Sequence, residues 1–125
     1  MKKPMTILDK IKEEGITQVD TGYRLYSLEI VPSIDHNGHS CWGLTDFEKG
    51  SILLQKGMDN GLATEILLHE LTHVVLELGG LGGGEEESDT VDGHTNEHIT
   101  VQVSRGLLML MRLNKRLFEI INGFC

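Results

Sequence analysis

The sequence predicts a single small α+β domain: a small, mainly antiparallel sheet packed on a central helix and a long C-terminal helix. Three observations carry this. Apolar residues alternate with others from Tyr23 to Val31, and two short β-rich runs, Trp42–Thr45 and Ser51–Leu54, flank a turn. A helical pattern runs from about Leu62 to Leu78, and a second, longer one from Asn96 to about Asn122. The chain has 125 residues, 39% hydrophobic and 24% charged, which suits one domain with a modest core.

The elements follow in order. Thr6 to Glu14 reads as a short helix, with Thr6 as N-cap, Ile7 and Ile11 on one side and Gly15 as the terminating residue. The strand Tyr23–Val31 sets Arg24, Tyr26, Leu28 and Ile30 on one face, and Pro32 ends it or places it at an edge. Asp35 to Ser40 reads as a solvated, turn-rich loop; its His36 and His39 lack a rigid element to orient them as ligands. The next two strands form a hairpin around Asp46–Gly50, with Gly50 suited to a positive φ. Asp59, Asn60 and Gly61 supply turn and cap chemistry before the central helix.

That helix contains His69-Glu70-Leu71-Thr72-His73. Residues four apart on a helix lie one above the other, so His69 and His73 can aim two imidazoles at one zinc ion. Glu70 is placed to act as a general base on a metal-bound water. On the helical wheel, Leu67, Leu68, Leu71, Val74, Val75 and Leu78 make the core side. Glu65, His69, Glu70, Thr72, His73 and Glu77 fall mainly on the other side, with Glu77 available to orient a ligand through a hydrogen bond. A glycine-rich joint, Gly79–Gly84, and an acidic run, Glu85–Asp92, follow; neither has the lysine and hydroxyl of a phosphate loop.

The last helix is capped by Thr95 or Asn96. Ile99, Val103, Leu107, Leu110, Leu113 and Leu117 are spaced for burial, and Gly106 marks close packing on a neighbour. Arg105, Arg112, Lys115 and Arg116 lie mostly opposite.

A catalytic zinc site needs a third protein ligand. Leu76 and Gly79 stand where the pattern H-E-x-x-H-x-x-G-x-x-H requires Gly and His, so the ligand comes from further along. The candidates are Glu85, Glu86, Glu87, Asp89, Asp92, His94, Glu97 and His98. Glu97 is preferred, because it shares a helical side with Val101, Ser104, Leu108 and Met111, read as inward-facing. His94 and His98 remain the alternatives. Tyr23, Tyr26, His94, His98 and Arg105 are candidate oxyanion donors.

The formal net charge of −8 argues against a nucleic-acid or anionic-membrane surface. No run of residues approaches the ~20 apolar positions of a membrane span, and no apolar segment follows Met1-Lys2-Lys3, so a cytoplasmic location is expected. Cys41 and Cys125 form no C-x-x-C pair and are expected as free thiols.

His69-Glu70-Leu71-Thr72-His73, followed by a glutamate on the next helix, resembles the gluzincin class of zinc peptidases. The small size is similar to that of ImmA/IrrE-like metallopeptidases of phages and prophages. Gly43-Leu44-Thr45-Asp46 with Ile52-Leu53-Leu54, and Asn96-Glu97 leading into a leucine-rich helix, extend the likeness over roughly residues 42 to 118. The resemblance implies a minimal zincin-like fold, Zn2+ on His69, His73 and Glu97, Glu70 as catalytic base, a protein or peptide substrate, and a bacterial or phage-infected cytoplasm. The competing expectation is a non-catalytic, zinc-stabilised interaction protein that binds or blocks a partner. A third is a hydrolase of a non-peptide amide.

Overall fold

A computed structural model describes residues 5–78 and 96–123, with 96–100 described as helical backbone only. The described residues form an α+β structure of four helices and a small mixed sheet.

Helix α1 (Ile7–Glu13) starts as its first residues dictate. Thr6 and Asp9 exchange side-chain-to-backbone hydrogen bonds in a capping box, and Gly15 follows with φ +67°. Strand β1 (Gln18–Asp20) was not expected from sequence. It pairs antiparallel with β2 (Leu25–Val31), setting Val19 opposite Tyr26. Strand β2 ends at Val31, before Pro32, and lies inside the sheet rather than at its edge. Residues Asp35 to Ser40, read as a solvated, turn-rich loop, are exposed and also pair as a miniature hairpin: β3 (Asp35–His36) pairs with β4 (His39–Ser40). Asn37 and Gly38 turn it with φ 53° and 79°, the pair of positive values that a two-residue hairpin requires.

The expected hairpin forms from β5 (Gly43–Asp46) and β6 (Ser51–Gln55). The sheet order is β1-β2-β6-β5, with antiparallel outer pairings and a parallel β2–β6 pairing at the centre. Register brings Leu28 beside Ile52 and Ile30 beside Leu54. These residues, with Val19 and Tyr26, face the helices and form the core with Ile7, Ile11, Leu67, Leu71, Val74, Leu110 and Leu117.

Helix α2 (Asn60–Leu78) is capped by Asp59, whose Oδ1 accepts from Leu62 N–H at 2.8 Å. It lies against β5 and β6 and is crossed by α3. The long final helix expected from sequence is two helices, α3 (Asn96–Leu113) and α4 (Lys115–Gly123). The interruption is at Asn114. Its side chain accepts from Asp20 N–H at 2.8 Å and donates to Asp20 C=O at 2.7 Å, so one amide continues the hydrogen bonding of β1. Helix α4 then turns Leu117, Ile120 and Ile121 into the core against α1. Gly106 packs tightly against α2: a Cβ there would sit 2.7 Å from Val75 Cγ1.

Among the described residues no helix is long and apolar enough to cross a membrane. Cys41 is a half-buried free thiol. The glycine joint, the acidic run and the Thr95 cap lie outside the described residues.

Candidate metal centre

One helix, α2, positions His69 and His73, and their spacing carries through to their side chains. The two Nε2 atoms are 3.1 Å apart, with ring centroids at 4.7 Å and ring planes at 83°. Two nitrogens bound to one tetrahedral zinc at ordinary bond lengths lie about 3.3 Å apart. The pair therefore needs only a slight adjustment to share one ion. His69 is exposed and His73 half-buried, so the pair opens to solvent.

Glu70 departs from the sequence reading. The helical wheel grouped it with the polar, outward residues and put Leu68 on the core side. The structure does the reverse: Glu70 is 5% exposed and Leu68 is 38% exposed. The sheet explains the inversion. Glu70 faces β5, where Thr45 Oγ1 donates to its Oε1 at 2.7 Å, so the buried carboxylate has a partner. Gly43 makes room for this approach. A Cβ there would meet Ile66 Cγ2 at 2.7 Å and Glu70 Oε2 at 3.0 Å.

His69, Glu70 and His73 form one wall of a cleft of about 890 Å³. Strand β5 and the turn residues Phe47 and Glu48 form another, and His36 and Asn37 complete it. Among the described strands β5 is the sheet edge, paired on one side with β6. The sequence reading missed His36. The signal was Asn37-Gly38, a hairpin turn that puts His36 on a short, solvent-exposed strand.

Among the described residues no His, Cys, Asp or Glu joins the pair to make a group of three. Glu97 belongs to α3, but its side chain and that of His98 lie outside the described residues, as do Glu85, Glu86, Glu87, Asp89, Asp92 and His94. The reason for preferring Glu97 changes, however. Ser104, Leu108 and Met111, read as an inward face, are exposed, whereas Leu110 is fully buried and Gly106 abuts Val75. Packing on α2 set the rotation of α3, and the leucine-rich pattern was too broad to reveal it.

Tyr23, Tyr26 and Arg105, considered as oxyanion donors, line a different cavity, as does Glu77. In comparisons with protein-family models, curated proteins and solved structures, the chain matches none.

Proposed function

We propose that this chain is a zinc-dependent peptidase with a minimal zincin-like fold, acting in a bacterial or phage-infected cytoplasm. The observation that carries the reading is the convergence of His69 and His73 Nε2 at 3.1 Å on a cleft that Glu70 also lines. The donor chemistry fits zinc: two imidazoles at tetrahedral spacing, one side open to solvent. His69, His73 and Glu97 would hold the ion, Glu97 being supplied by the resemblance to gluzincins.

Zinc bound there supplies Lewis acidity that makes water a nucleophile at neutral pH and polarises a carbonyl oxygen. The chain's own residues do the rest. Glu70 takes a proton from the attacking water and returns it to the amine nitrogen as the peptide bond breaks. The Thr45 hydroxyl holds one oxygen of Glu70, so the carboxylate has a fixed direction. The outer edge of β5 offers backbone N–H and C=O groups along the cleft, where an extended peptide can add as a further strand.

The test compares wild type with Glu70→Gln, by zinc titration calorimetry and by cleavage of a mixed-peptide pool. The expected result is zinc binding by both proteins and zinc-dependent cleavage by wild type alone. Equal product profiles would reject Glu70 as base. Zinc binding without turnover by wild type would favour the non-catalytic, partner-binding alternative.

A further inference from the structure

A second cavity, of about 590 Å³, lies beside the metal cleft. Phe47 stands in the wall of both, and Glu77, one helical turn beyond His73 on α2, lines the second. It holds an unusual phenol. Tyr26 is 2% exposed, and its oxygen has no hydrogen-bond partner among the described residues. Yet none of their buried side-chain oxygens lacks a partner, so this one reaches open space, and the space its residue lines is this cavity. Burial pushes the Tyr26 phenol above its ordinary pKa, with Arg24 pulling the other way. It stays protonated at neutral pH and can donate.

Charge decides what it donates to. Arg24 and Arg105 both line the cavity, with Glu77 as the one carboxylate among its described walls. Arg24 is fixed: it donates to Phe47 C=O at 2.9 Å and lies over the Tyr26 ring at 5.1 Å. Among the described residues Arg105 has no hydrogen bond or ion pair, and neither guanidinium pairs with Glu77. Two cations and one anion leave a site that suits a monoanion better than a doubly charged phosphate. Phe47 and Met109 supply apolar wall.

We propose that this cavity binds a carboxylate carried next to an apolar side chain, as at the free C-terminal end of a peptide, with Arg105 and Tyr26 as its donors. The binding itself requires no metal. That the bound chain would run back into the first cleft, making the enzyme act near peptide ends, rests on the peptidase reading.

The test is calorimetric titration of the metal-free protein with N-acetyl-phenylalanyl-leucine and with its C-terminal amide. The acid should bind at least about tenfold more tightly, the effect of a charge-assisted hydrogen bond. R105Q should shrink the difference several-fold, and Y26F should weaken the acid while leaving the amide unchanged. Neither substitution removes a hydrogen bond among the described residues, so both proteins should fold. Equal binding of acid and amide, binding of neither, or an undiminished difference in R105Q would overturn the proposal. A wild-type chain that discriminates acid from amide yet cleaves nothing would uphold this site and remove the peptidase reading.

Discussion

Thr45 on β5 and Glu70 on α2 are joined by a 2.7 Å hydrogen bond from hydroxyl to carboxylate, in a place almost closed to solvent. Removing the donor leaves a buried carboxylate one partner short. T45V should cost about 1–3 kcal/mol in urea denaturation, and T45S should restore most of it. Under the proposed function, T45V should also lower kcat roughly tenfold or more with little change in KM, because the base loses its fixed direction. Unchanged kcat with lowered stability would make Thr45 purely structural.

Gly106 and Val75 set the α2–α3 spacing. Alanine at position 106 gains about 1 kcal/mol of helix propensity, but its Cβ would lie 2.7 Å from Val75 Cγ1. Overpacking of a buried contact costs about 1–3 kcal/mol. G106A should therefore destabilise on balance. In a V75A background the same change should stabilise, and a double-mutant cycle read by thermal unfolding would show the reversal of sign.

Asn114 ties the α3–α4 junction to β1 through Asp20. N114A removes both hydrogen bonds to the Asp20 backbone and should lose about 1–3 kcal/mol in chemical denaturation. N114D, which can still accept from Asp20 N–H but cannot donate, should fall between the two. An N114A protein as stable as wild type would mean that the helices turn for another reason.

Glu14 and Arg116 link the end of α1 to α4. The Arg116 guanidinium, hydrogen-bonded to the carboxylate, holds Glu14 down from its ordinary 4.5 to about 2, with Lys10 assisting. A carboxyl whose folded pKa is depressed contributes stability above its unfolded pKa and loses it as pH falls through the folded one. The difference in melting temperature between wild type and E14Q should thus be constant above about pH 5 and shrink towards pH 2. A difference that does not depend on pH would place the contribution of Glu14 in packing.

If His69 and His73 hold zinc, the ion stabilises the fold by mass action: about 2.7 kcal/mol at a hundredfold excess over Kd. Thermal unfolding with and without zinc should show this shift in wild type and in E70Q. H69A and H73A should each abolish it while melting close to wild type without metal, since the ring of His69 is exposed and that of His73 half-buried. Retention of the shift in either alanine variant would move the metal elsewhere.

Local patterns in the chain determined much of this protein. Thr6 and Asp59 cap their helices, Gly50 turns its hairpin with φ 68°, and the four-residue spacing of His69 and His73 brings their nitrogens together. Each depends on residues only a few positions apart, so a short stretch suffices to specify it. Other features needed the assembled fold. Burial of Glu70 required β5 to present Thr45, and the break at Asn114 required the edge of β1 at Asp20. The exposure of Leu108 and Met111 followed from how α3 seats Gly106 on Val75. A helical period tells which side chains share a face. It does not tell what that face will meet, because the meeting depends on atoms brought from distant parts of the chain.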